Sequence, residues 1–273
     1  METAPIYDIW RLLSEPRDQV EAEIRALCRS AYCGDRTALA RVLGRYKIYV
    51  DTRDTGISPH LMLDGFWEMW VTEAMLRAVR RGSTVIDVGA NLGFFTLLLA
   101  DLAGPEGRVL AFEPNAALAD RLEASIAVNG FGGHAMLHRC ALGAAEGLVA
   151  LDVDARSPGG GRVRTDGAGT LPIRRLDSLP EALDAEFIKI DVEGHEQQVW
   201  RGMTGILARG NPLTVFMEFT VGRYPDPAGF LSEILGEGFE LGLIHHDGQL
   251  RPVTPVALLD APHTIDHMLC LRR

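Results

Sequence analysis

The run that most constrains the fold begins at residue 83, where a buried-looking strand passes through a glycine turn straight into a helix. STVIDVGA is a continuous, β-branched apolar stretch ending in Asp87 and Gly89, as a strand buried on both faces reads. FFTLLLADLAG follows as a helix stopped by Gly104-Pro105. GRVLAFEP and AALADRLEASIAVNG repeat the pattern, and Asn129-Gly130 closes the second helix. HAMLHRCAL, AEFIKIDVEG and PLTVFMEFT read as further strands, EQQVWRGMTGIL and residues 228–236 as helices, and FELGLIHH and HMLCLRR as closing strands. Strands and helices alternating at this spacing join by right-handed crossovers into a mostly parallel α/β sheet with helices on both faces. Residues 154–169, DARSPGGGRVRTDGAG, are expected to form a glycine-rich loop.

Upstream the pattern differs. Ile6, Ile9, Trp10, Leu12 and Leu13 make one apolar stripe, and Val20, Ile24, Leu27 and Cys28 a second at helical spacing. A third, from Thr37 to Leu43, follows Asp35 as a cap, and RYKIYVDT reads as a strand. Residues 1–80 are therefore expected to be a helical cap or lid, and residues 81–273 the main domain.

The chain has 273 residues, 47% of them hydrophobic, which is ample for a core. Its net charge of −10 argues against a duplex nucleic-acid partner and against an anionic membrane surface, both of which need a basic face. Cys28, Cys33, Cys140 and Cys270 show no metal-ligand spacing and read as reduced thiols. METAPIYDIW lacks the basic and apolar regions of a secretory leader, and no run approaches the ~20 apolar residues of a membrane span. A cytoplasmic protein is expected, with a homo-oligomer left open.

Three groups of residues carry chemistry. In Asp87-Val88-Gly89-Ala90-Asn91-Leu92-Gly93 the glycines let the backbone turn sharply, and the following helix N-terminus presents free N–H groups to an anion. Asp87 suits an ammonium group at the other end of a zwitterion. A nicotinamide-dinucleotide fingerprint needs a third glycine, and Phe94 stands in its place. Glu113 lies 20 residues after Gly93, at the tip of the next strand, where a carboxylate can accept both ribose hydroxyls. Finally, IKIDVEGHE brings Asp191, Glu193, His195 and Glu196 to one strand end, and Glu218 ends the strand read after it. In open α/β sheets that end lines the ligand crevice. Glu196 itself reads as an acid at a helix N-terminus.

VIDVGANLGFFTLLLA, VLAFEPN and FIKIDVEGHE together resemble the FkbM-type methyltransferases, and GFWE and LDSL fit the same family. The resemblance runs from about Thr55 to Phe219. It implies an S-adenosylmethionine-dependent O-methyltransferase with a seven-stranded Rossmann-like fold, acting on hydroxyls of polyketides, sugars or related glycans. It also implies a binding scheme. Asp87 and the turn from Gly89 through Asn91 to Gly93 would hold the methionine moiety, and Glu113 the ribose, with Pro114 and Asn115 beside it. Cys140 and Ala141 would border the adenine, and Glu68 matches the family's glutamate upstream of the turn. A dinucleotide oxidoreductase and a non-catalytic cofactor-binding protein are the rival readings.

An aliphatic hydroxyl is a poor nucleophile, so a base helps methyl transfer, typically by ~10²–10⁴-fold. His195 can serve near neutral pH with Asp191 and Glu193 beside it. The other route is a divalent ion such as Mg²⁺ on Asp191 with Glu193 or Glu218, lowering the hydroxyl's pKa. His245, His246, His263 and His267 read as surface or strand residues. Phe66 and Trp67 are expected near cofactor and acceptor, as part of a segment closing over them. Trp10 is expected to pack on the covering helices.

Overall fold

The computed structural model describes residues 6–154, 157–164 and 169–273. A 3-10 turn (Ile9–Leu13) and helix α1 (Arg17–Leu27) lead into an antiparallel sheet of β1 (Ser30–Gly34), β2 (Thr37–Val42) and β3 (Tyr46–Asp51). The cap is thus part sheet, not wholly helical. In β2 burial alternates, with Ala38, Ala40 and Val42 buried and Thr37, Leu39 and Arg41 half-buried, the two-residue period of a strand. Asp35, read as a helix cap, turns the β1–β2 hairpin with Arg36, at φ 44° and 59°.

Helices α2 (Ile57–Leu63) and α3 (Met69–Ala78) deliver the chain to the main sheet. Its units are β4 (Thr84–Val88), α4 (Phe94–Ala103), β5 (Arg108–Phe112), α5 (Ala116–Val128) and β6 (Ala135–His138). The chain then leaves the sheet for a second one, built from β7 (Ala141–Leu142), β8 (Gly147–Asp154), β9 (Ser157–Arg164) and β10 (Leu171–Arg174). The expected loop at 154–169 is in part strand: Leu151 pairs with Val163 in a β8–β9 ladder. Residues 155, 156 and 165–168 of that stretch, like residues 1–5, lie outside the described residues. The main sheet resumes with β11 (Phe187–Ile190), α6 (Glu196–Arg201), α7 (Thr204–Leu207), β12 (Thr214–Phe219) and α8 (Pro227–Gly236). It ends in β13 (Glu240–Ile244), β14 (Leu250–Pro252), α9 (Pro255–Leu259) and β15 (His267–Arg272).

The order is β14-β13-β15-β12-β11-β4-β5-β6, eight strands where seven were expected. The eighth, β14, is a three-residue edge strand paired antiparallel with β13. From β12 to β6 all neighbours run parallel, and β15 pairs antiparallel with β12. Alternate side chains feed two cores. Val85, Val109, Phe187 and Phe216 pack on one face with α4, α5 and the N-terminal elements. Ile86, Leu110, Ile188, Val215 and Met217 pack on the other with α6, α7 and α8. Val20, Ile24, Ile48 and Val50 belong to the first of these cores, and the amides of Lys47 and Tyr49 donate to Asn129 and Ser125 at the C-terminal end of α5. The N-terminal segment is therefore continuous with the main domain's core. Among the described residues no helix is long and apolar enough to cross a membrane.

Candidate active site

The parallel strands end along one edge of the sheet, and a cleft of about 330 Å³ opens there. Its floor is the glycine turn after β4. Gly89, Asn91 and Gly93 take left-handed φ values of 78°, 52° and 95°. A Cβ at position 89 would overlap the carbonyl oxygen of Asp191, and one at position 93 would overlap Leu122. Close approach to the backbone demands glycine at 89, and the left-handed backbone favours it at 93, before any ligand is considered. Gly93 is also the N-cap of α4, so that helix begins at the cleft.

Glu113 is 5% exposed and faces the cleft from the tip of β5. It accepts the backbone amides of Asn91 and Asn115, each at 2.8 Å. Burial raises its pKa to about 7 against the pull of those two amides. Pro114, Asn115, Cys140, Ala141 and Leu142 continue the wall, and Asn115 caps α5 by accepting the amide of Ala117.

Asp87 sits elsewhere than the sequence scheme places it. It is fully buried and does not line the cleft. Its Oδ2 accepts the Thr96 hydroxyl at 2.6 Å, and its Oδ1 lies 3.9 Å from the ammonium of Lys189. Lys189, which sequence reasoning missed, is 2% exposed and also bonds Asp191 at 3.1 Å. A single lysine in the apolar run FIKI was the available signal.

The loop after β11 is held by its own residues. Glu193 has φ 57° and Gly194 φ 100°. The buried carboxylate of Glu196 accepts the amides of Val192 and Gly194 at 3.0 and 3.1 Å and the hydroxyl of Tyr224 at 2.6 Å. Glu196 therefore latches the loop's shape, beyond the helix-terminal role its position suggests. His195 lines the cleft with its Nε2 buried and without a hydrogen-bond partner. Burial lowers its pKa, so the ring is neutral at neutral pH.

Glu193 and Glu218 both bind Arg223, the second group the sequence did not reveal, which also meets Asp266 at 3.4 Å. Burial, and then the charge of Asp191, push Glu218 well above the usual carboxylate range. The expected Mg²⁺ site does not fit this arrangement. Glu193 and Glu218 are both paired with Arg223, and Asp191 has one oxygen on Lys189, whereas a divalent ion needs several free oxygen ligands. Among the described residues no group of three His, Cys, Asp or Glu side chains is arranged to hold a metal.

Glu68 lines the cleft, and burial together with the charge of Asp191 raises its pKa to about 7. Beside it Trp67 lines the cleft as expected, but Phe66 does not and lies under the Arg25 guanidinium instead. Trp10, expected to pack, is 48% exposed. Among the described residues of the N-terminal segment, Asp54, Gly56, Ile57, Trp67 and Glu68 reach the cleft. The β8–β9 hairpin also lines it, through Leu151, Gly159, Gly160, Gly161 and Val163. A second cavity, of about 520 Å³, adjoins at His195, Glu193 and Arg223 and is lined further by Arg162, Thr220, His263 and Asp266.

Comparison with known proteins bears on this site. The family model described as methyltransferase FkbM domain matches residues 87–241, more than half of the chain. Hexuronic acid methyltransferase AglP of Haloferax volcanii is 30% identical over 171 residues, which cover 61% of this chain and 68% of that protein. Methyltransferase 1 of Beauveria bassiana is 24% identical over 147 residues, 44% of this chain and 58% of that one. Among solved structures, P. horikoshii TYW2 in complex with MeSAdo aligns over 96% of this chain and 84% of its own, at 13% identity and a TM-score of 0.46.

Proposed function

The chain belongs to the FkbM methyltransferase family, and from that premise we propose that it moves a methyl group from S-adenosylmethionine to a hydroxyl of a sugar-like acceptor. The observation that carries this reading is the convergence, on one cleft, of the glycine turn, Glu113 and an unpartnered His195. The residues fit the cofactor by chemistry. The start of α4 and the turn's amides suit a carboxylate, Glu113 suits two vicinal hydroxyls, and the carboxylates of Glu68 and Asp191 suit its cationic groups. The apolar wall of Cys140, Ala141 and Leu142 suits a base.

When bound, the cofactor supplies a methyl group already activated on a sulfonium. The chain's own task is then to hold the acceptor oxygen in line and to take its proton. His195 can do the second, being neutral, buried and free at Nε2. Its imidazole would take the hydroxyl proton as the acceptor oxygen receives the methyl group that the bound cofactor supplies. Glu193, held by Arg223, lines the same cleft. The hairpin and Trp67 cover the cleft and limit water.

The adjoining second cavity supports a hydroxyl-rich acceptor over an apolar one. Its guanidinium, carboxylate, hydroxyl and imidazole groups give it a polar lining that suits an acceptor carrying hydroxyls better than an apolar one. Mass spectrometry decides, with isotopically labelled cofactor offered alongside hexoses, hexuronic acids and an apolar alcohol. Label on a sugar oxygen is the expected result. Label only on the apolar alcohol, or on none, would overturn the acceptor assignment.

A further inference from the structure

An ammonium group is unfavourable in a protein interior unless opposite charges compensate it, so a lysine in the middle of a core strand needs a reason. In β11 Ile188 and Ile190 enter the apolar core on one face, and Lys189 enters the other. Across the β11–β4 ladder it is in register with Asp87. Its Nζ stands 3.1 Å from Asp191 Oδ2, 3.9 Å from Asp87 Oδ1, and 5.1 Å from the centre of the Phe95 ring. Burial works against its charge, but Asp191 and Asp87 outweigh burial and hold it protonated. The three groups reach from the sealed interior, where Asp87 is wholly covered, to the cleft, which Lys189 and Asp191 both line. Stability alone does not explain such a triad, because well-packed apolar residues of similar volume are usually as stable or more so.

We propose that Lys189 is a positioning residue for cofactor binding, fixing the Asp191 carboxylate at the end of β11 through one oxygen so that the other meets the ligand. This rests on the reading of the cleft as an S-adenosylmethionine site. Lys189 also neutralises Asp87 beneath it, so the triad carries one net negative charge toward a cationic ligand.

A double-mutant cycle tests the proposal, with S-adenosylhomocysteine affinity measured by calorimetry and melting temperature recorded for each protein. Lys189→Met should weaken binding about 10-fold or more in the wild-type background, and Asp191→Asn comparably. The double variant should fall within about 3-fold of Asp191→Asn alone, because the lysine acts through that carboxylate. Should Lys189→Met not fold, Lys189→Gln, which keeps a donor toward Asp191, replaces it in the same comparison with a smaller expected loss. A loss of equal size with and without the Asp191 carboxylate would overturn the proposal, and so would no loss at all. No binding by the wild-type protein would overturn the cofactor reading itself, and the proposal with it.

Discussion

The backbone amide of Asn91 donates to Oε2 of Glu113 at 2.8 Å. That bond ties the glycine turn after β4 to the carboxylate at the tip of β5. With the Asn115 amide on its other oxygen, Glu113 serves both as a candidate ribose ligand and as a brace between two strand ends. Glu113→Ala should therefore weaken S-adenosylhomocysteine binding by about 1.5–3 kcal/mol. It should also cost about 1–3 kcal/mol of stability through two stranded amides. Glu113→Gln retains an acceptor for one amide and should recover much of the stability but not the affinity. Calorimetry and urea unfolding separate the two losses, and an unchanged dissociation constant in both variants would refute the ribose role.

How legible was this site beforehand? The glycine turn, Glu113 and the Asp191–His195 loop were all readable, because long apolar strands announce their ends and the spacing between those ends is local. Lys189 and Arg223 were not. A lone lysine in a strand reads as an edge or solvent-facing residue until the partner strand puts Asp87 in register with it. Arg223 ends a 3-10 turn (Val221–Arg223) whose value depends on Glu193, 30 residues upstream. Strands β1 and β2 and the β8–β9 ladder were missed for a related reason, whereas RYKIYVDT was read as the strand it forms, β3. The short, small or glycine-rich segments of the missed strands are fixed by pairing, β2 on β3 and β9 on β8, and propensity alone does not reveal that.

The N-terminal segment supplies the next test. A lid would come off without harm to the rest, but Val20, Ile24, Ile48 and Val50 share a core with the main sheet. Deleting residues 1–50 should thus lower the melting temperature and abolish cofactor binding and turnover together. A truncated protein that melts like the full chain and binds normally would show the segment to be a separable cover.

Buried carboxylates set a pH dependence. Burial and the charge of Asp191 push the Glu68 carboxyl up to about 7 in the folded protein, from an ordinary 4.5. The folded state holds that proton more tightly than the unfolded one. The contribution to stability is thus full below about 4.5 and lost as pH rises through about 7. Glu68→Gln removes the titration. Its melting temperature relative to wild type should climb by a few degrees between pH 5 and pH 8. A difference that stays constant over that range would contradict the burial account.

The latch on the loop after β11 is separable by chemistry. Tyr224→Phe removes one hydrogen bond to Glu196 and should cost about 1.5–3 kcal/mol in urea unfolding. Glu196→Ala releases the amides of Val192 and Gly194 as well and should cost more, about 3 kcal/mol or above. Equal effects would mean that the tyrosine bond alone holds the loop.

The central claim is that His195 takes the acceptor's proton in a cleft that holds the cofactor independently of it. The decisive measurement is single-turnover methyl transfer by His195→Ala, set beside its S-adenosylhomocysteine affinity. The account predicts a rate lowered by ~10²–10⁴-fold with the affinity nearly unchanged. For the wild-type enzyme it predicts a rate level through neutral pH that falls only below the lowered histidine pKa. Turnover by His195→Ala at the wild-type rate would contradict it.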